Sequence, residues 1–147
     1  MNEPIAPRSD VFPSNRQPTA RVVAMPADTN PSGHIFGGWI MAQMDVAGSI
    51  VAAEYAGRRV VTVAVNSMEF HKPVFVGDLV SSFARIERVG RTSITVLVEV
   101  FAQRPRESPA GCIKVTEAVI VYVAVDAEGR RAPLPERDLA VWRSVYD

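Results

Sequence analysis

Between Ile35 and Ala53 the chain carries a single ionisable side chain, Asp45, in a stretch that is otherwise apolar or small. A carboxylate in such surroundings must be paired, bound to a ligand, or shifted in its titration. It is either a buried aspartate satisfied by a backbone amide or by an arginine at a subunit contact, or part of a functional site. Eight residues earlier stands Gly37-Gly38, at the start of the same stretch. If a helix begins there, its unpaired amides and the positive end of its dipole form an oxyanion site that a substrate carbonyl can approach closely. The plainer alternative is that the two glycines make a turn and let the helix lie near other backbone. Asn30, in the loop before them, can cap, turn the chain or orient a water. His34 reads as a loop or rim residue and His71 as a surface residue at a strand end. Cys112 opens a strand with nothing beside it that would activate a thiol. One cysteine and two separated histidines make neither a disulfide nor a zinc site.

These residues need a helix to carry them. From Gly37 to about Tyr55, Ile40, Met44, Ala47 and Val51 recur at helical spacing, and the other faces carry Met41, Ala42, Val46 and Ala52 with little charge. A helix apolar all round has to be enclosed. Before it, Ala20 to Met25 reads as a short strand, followed by the turn formers Pro26 to Gly33. After Gly57 the period changes. Val60 to Phe70, Leu79 to Arg88, Thr92 to Gln103 and Cys112 to Val125 are rich in Val, Ile, Thr and Phe and separated by turn sequences. Short connections favour antiparallel pairing, so the order predicts a strand, a long helix and then a meander of four strands wrapped round the helix, an α+β fold. The run Val60 to Val65 is apolar on both faces and invites a partner at a sheet edge.

Outside that domain, taken as residues 20–135, residues 1–19 with their four prolines read as a flexible arm. Residues 136–147 form a tail in which Leu139, Trp142 and Tyr146 suit a short docking helix. With 147 residues the chain makes one domain, and 16 basic against 16 acidic residues argue against a nucleic-acid partner. The opening residues lack the apolar run of a signal peptide, and Gln43, Asp45 and Ser49 interrupt the longest apolar stretch. Both features predict a cytoplasmic protein without a membrane span.

The segment Met25-Pro-Ala-Asp-Thr-Asn-Pro-Ser-Gly-His-Ile-Phe-Gly-Gly-Trp-Ile-Met-Ala-Gln-Met-Asp45 resembles the signature of acyl-CoA thioesterases of the hotdog fold. Within that group the chain is most similar to the small bacterial broad-range acyl-CoA hydrolases. The likeness continues through Arg59-Val-Val-Thr-Val-Ala-Val, Met68-Glu-Phe-His-Lys-Pro-Val, Val76-Gly-Asp and Val115-Thr-Glu-Ala-Val to Val123-Ala-Val-Asp126. The resemblance implies an antiparallel sheet wrapped round one long central helix, and a homodimer built by pairing the second strand with its copy. It further implies active sites at the dimer interface and assembly as a trimer of dimers. Carried over by position, Asp45 matches the catalytic acid, Asn30 the asparagine that positions water or thioester, and Gly37 and Gly38 the helix start facing the thioester carbonyl.

Those roles fit hydrolysis, which needs a water deprotonated or directed at a carbonyl and a fixed dipole where charge develops. Direct attack by Asp45 to form an anhydride is the other route. Coenzyme A leaves as a thiolate, enters as part of the substrate, and no separate cofactor or metal is implied. Its phosphates call for positive charge near the cleft, for which Arg58, Arg59, Lys72 and Arg91 stand at strand ends or turns. Arg59, and Arg91 in the turn Gly90-Arg-Thr-Ser93 with Ser93 beside it, are the preferred set. Two rivals stand beside this reading. One is a hotdog hydratase or dehydratase, in which His34 would work with the helix acid. The other is a non-catalytic acyl-CoA-binding sensor.

Overall fold

The computed structural model of the chain describes residues 10–104 and 111–146. Strand β1 (Ala20–Val23) leads through a 3-10 turn at Pro26–Asp28 into helix α1 (Gly37–Ala56). Four longer strands follow: β2 (Val60–Phe70), β3 (Leu79–Val89), β4 (Ser93–Gln103) and β5 (Cys112–Ala124). Helix α2 (Leu139–Tyr146) closes the fold. Gly57, in the left-handed conformation at φ 64°, ends α1 and donates its amide to the Ala53 carbonyl. The result is the expected α+β arrangement, one antiparallel sheet curled round one long helix.

The strand order is β1-β3-β4-β5-β2, which corrects the expected four-strand meander. Only β3, β4 and β5 follow one another across the sheet. β2 pairs with β5 and lies at the far edge, and β1 takes the place beside β3. The physical reason is the segment 71–78, too long for a tight hairpin. His71 and Lys72 donate their amides to the Val115 carbonyl, so the chain leaves β2 along β5. It then dives under the start of the helix, where Val74 is buried and its carbonyl accepts from Ile35. The buried Asp78 fixes the landing by accepting from the Phe75 amide at 3.0 Å, while backbone bonds join Gly77 and Asp78 to Ala24.

The core lies between the helix and the concave face of the sheet. Met44, Ala47 and Ala52 of α1 pack against Val96, Val98, Val100, Ala118 and Ile120. The helix is nevertheless enclosed only in part. Met41, Val46 and Ile50 are exposed, Val46 to 52%, and so are Val61, Val63 and Val65 on the free edge of β2. One chain therefore leaves an apolar strip that its own sheet does not cover.

The proposed N-terminal arm divides. Residues 1–9 lie outside the described residues, whereas 10–19 run over the convex face of the sheet instead of hanging free. Phe12 stands edge-on to both Phe83 and Phe101, with ring centroids 5.4 and 5.6 Å away. Arg16 lies over Phe83, and the Thr19 hydroxyl accepts from the Ala84 amide. Beside this contact Lys114 reaches Glu99 at 2.9 Å and Glu117 at 3.0 Å, all three buried. Burial alone pulls Lys114 down, but its hydrogen bonds to the two carboxylates and their charges outweigh it and hold the ammonium above its ordinary range. At the other terminus Asp138 caps α2 through the Ala140 and Val141 amides. Trp142 packs edge-on against Tyr55, and Arg143 bonds the Ile86 and Glu87 carbonyls.

Candidate active site

Asp45 sits in the third turn of α1, at the border between the buried face and the uncovered strip. Two hydroxyls converge on its Oδ1: Thr62 of β2 donates at 2.7 Å and Tyr122 of β5 at 3.0 Å. The Tyr122 hydroxyl lies 2.9 Å from the main-chain oxygen of Asp45 as well, so its one proton is shared between the two acceptors. The sheet makes this possible by register, because Thr62 and Tyr122 are cross-strand partners and both point at the helix. A bulge follows at once, between Thr62 and Ala64. No group among the described residues donates to Oδ2. Asp45 is thus held by one oxygen and open at the other, the disposition of a carboxylate that can take a proton.

Tyr122 is fully buried. Burial first, and then the charge and hydrogen bond of Asp45, push the phenol far above its ordinary 10.0, so it remains a donor. Its approach to the helix depends on Gly48, where an added Cβ would overlap the hydroxyl. Neither Thr62, Tyr122 nor Gly48 was singled out by the sequence. Strand hydroxyls look like ordinary β-formers there. The available signal was a tyrosine on the inward-facing series Ala118, Ile120, Tyr122, Ala124 and a helix glycine three residues after the acid.

Gly37 and Gly38 do open α1. The Trp39 and Ile40 amides bond the Phe36 carbonyl, while those of Gly37 and Gly38 belong to the opening turn that has no intrahelical acceptor. The Phe70 ring packs so close that a Cβ on Gly37 would stand 3.4 Å from it, whereas Gly38 faces open space. Asn30 shapes the loop that delivers them. Its Oδ1 accepts the Ser32 amide at 3.0 Å and the His34 amide at 3.1 Å, which leaves the amide nitrogen as the group free to act on a ligand.

His34 is exposed and stands edge-on to Phe75, with no contact to Asp45, so the acid–histidine pairing of the dehydratase reading is not formed in the chain. His71 is on the surface near Glu69. Burial pushes the Cys112 thiol up, away from reactivity. Among the described residues no His, Cys, Asp and Glu cluster is placed to hold a metal. No helix among them is long and apolar enough to cross a membrane.

The basic candidates separate into two groups. Arg58 and Arg59 precede β2, and Arg91 with Ser93 forms the β3–β4 turn. All four lie at the end of the sheet where β5 finishes, since Val60 pairs with Ala124 and Ser93 with Val123. Lys72 lies at the opposite end, after Phe70 and beside the helix start. Within one chain, therefore, the preferred arginines are at the far end of α1 from Gly37 and Gly38.

Comparison with known proteins agrees with this architecture. Residues 32–108 match the Thioesterase superfamily. The acyl-CoA thioester hydrolase YciA of Salmonella typhimurium is 52% identical over 116 residues, which span 78% of this chain and 87% of that protein. A hexameric thioesterase of Yersinia pestis superposes with a TM-score of 0.78 at 48% identity, covering 86% of this chain and all of the other. A hexameric hotdog fold thioesterase of Campylobacter jejuni gives the same TM-score at 42% identity over 89% of this chain and 96% of that one. With a helix carboxylate held by two strand hydroxyls inside this fold, and relatives this similar over most of its length, the chain belongs to the hotdog acyl-CoA thioesterases of the thioesterase superfamily.

Proposed function

We propose that the protein hydrolyses acyl-CoA thioesters to a free carboxylic acid and coenzyme A, with Asp45 as general base. The observation that carries the mechanism is the one-sided hold on Asp45: Oδ1 is occupied by Thr62 and Tyr122, and no group among the described residues donates to Oδ2. Oδ2 takes a proton from water as the water oxygen bonds the thioester carbon. The carbon–sulfur bond then breaks, and coenzyme A leaves as a thiolate that needs no strong acid to assist it. Charge on the carbonyl oxygen is met by amides at a helix start.

That helix start belongs to a second copy. Gly38 and Asp45 are about 10 Å apart on one rigid helix, too far to serve the same carbonyl group together. The free edge of β2, with its exposed valines, is suited to pair with itself. A symmetric antiparallel pair brings the Phe70 end of one strand toward the Val60 end of the other. Gly37 packs beside Phe70, and Asp45 bonds Thr62 near the Val60 end. The pairing therefore carries Gly37, Gly38 and Asn30 of one chain toward Asp45 of the partner subunit. It also carries Arg58 and Arg59 of the partner subunit toward Lys72 and the helix start, which reunites the basic candidates for the phosphates of coenzyme A. The resulting assembly is a homo-oligomer, as the hexameric relatives are, built as three such dimers.

Free-thiol release across a panel of acyl-CoA chain lengths tests the activity. Asn30→Ala and Asp45→Ala homodimers should each be nearly inactive, and refolding an equal mixture should restore about a quarter of the native rate, because random pairing gives mixed dimers with one native site. A mixture as inactive as its parents, with mixed dimers shown to form, would place the site within one subunit.

A further inference from the structure

The two hydroxyls on Asp45 Oδ1 differ in what they can do. Thr62 is on the edge strand and exposed in the single chain, whereas Tyr122 approaches from inside the core and bonds both the side chain and the main chain of Asp45. A link that joins a carboxylate to its own backbone oxygen restricts both side-chain torsions at once. We propose that Tyr122 is a positioning residue for the hydrolysis: its hydroxyl pins Oδ1 against the helix and so turns Oδ2 toward the strip where water and thioester meet.

Three features of the structure support it. A phenylalanine would fill the same volume among the apolar residues, so the hydroxyl is not required for packing, and both of its acceptors belong to Asp45. The helix keeps a glycine, a poor helix former, at a position where a methyl group would push the hydroxyl away. The buried phenol also holds its proton, so the pin persists across the range in which the carboxylate is a base.

The inference rests on Asp45 acting as the base, and its test separates the two claims. Thiol release is measured for Tyr122→Phe, Asp45→Asn and the double variant, with single-turnover assays where rates are low. Tyr122→Phe should lose about tenfold in kcat, as expected when a hydrogen bond to a charged reacting group is withdrawn, with KM within about twofold of native. In the Asp45→Asn background the same change should cost nothing further, because the group it positions is gone. Gly48→Ala, which displaces the hydroxyl from the helix side, should also lower kcat at nearly constant KM. A native kcat for Tyr122→Phe overturns the inference, as does a tenfold loss repeated in the Asp45→Asn background, which would assign the loss to damaged packing. Should Tyr122→Phe not fold, a native kcat for Gly48→Ala overturns it instead. A native rate for Asp45→Asn alone removes the base and the positioning role together.

Discussion

At the scale of single residues the chemistry depends on a carboxylate with one committed and one open oxygen. Asp45→Asn is nearly isosteric but cannot take the proton, so thiol release should fall by roughly a hundredfold or more while the fold persists; circular dichroism checks the second point. General-base attack also predicts that single turnover in oxygen-18 water labels the product acid in its first cycle, whereas label first found in the Asp45 side chain by peptide mass would assign the anhydride route. Gly48→Ala sets two effects against each other. Alanine favours a helix by about 1 kcal/mol, but forcing a methyl group against Tyr122 in a filled core costs about 1–3 kcal/mol. The expected net result is a lower urea midpoint. Asp45 was legible in the sequence because a lone charge in an apolar stretch needs a reason. Its partners were not, because threonine and tyrosine in strands satisfy β-propensity whatever their hydroxyls touch, and only the β2–β5 register reveals that they share an acceptor.

At the scale of elements, turn formers and changes of period put α1 and all five strands close to where they lie. The placement of β2 was not legible. The segment 71–78 contains Pro73 and Gly77 as a hairpin loop would, and nothing local says that Val74 is buried under the helix start or that the chain resumes beside β1. Sending β2 to the edge is what leaves Val61, Val63 and Val65 uncovered. Val63 is 51% exposed in the single chain, so Val63→Lys should leave the subunit folded. A charge there blocks edge pairing. Light scattering should then report monomers, and thiol release should be lost with the split site. A fully active oligomer carrying that lysine would show that this edge does not make the dimer.

At the scale of the whole molecule, Tyr122 and Lys114 have folded-state titrations raised above their ordinary values of 10.0 and 10.5. In each case the folded chain holds a proton that the unfolded chain releases first. Their contribution is present below about pH 10 and is lost as pH rises beyond it. Urea midpoints should fall between pH 9 and pH 11, and Tyr122→Phe should flatten that fall. Activity should survive exhaustive chelation, since water activation is assigned to Asp45 and one cysteine with two separated histidines offers no ligand set. Loss on adding EDTA, reversed by a divalent metal, would refute that assignment.

The docking of Phe12 also sets an order of events during synthesis. The segment 10–19 leaves the ribosome before Phe83, Phe101 and Lys114 exist, yet those residues form the surface on which it lies. Its contacts span most of the chain, and such long-range contacts form late. The nascent N-terminal segment must therefore wait until β3, β4 and β5 have assembled. It then closes over their convex face, laying Phe12 against Phe83 and Phe101 with Asp10 3.9 Å from Lys114, so segment 10–19 is made before its partners yet is among the last to find its place.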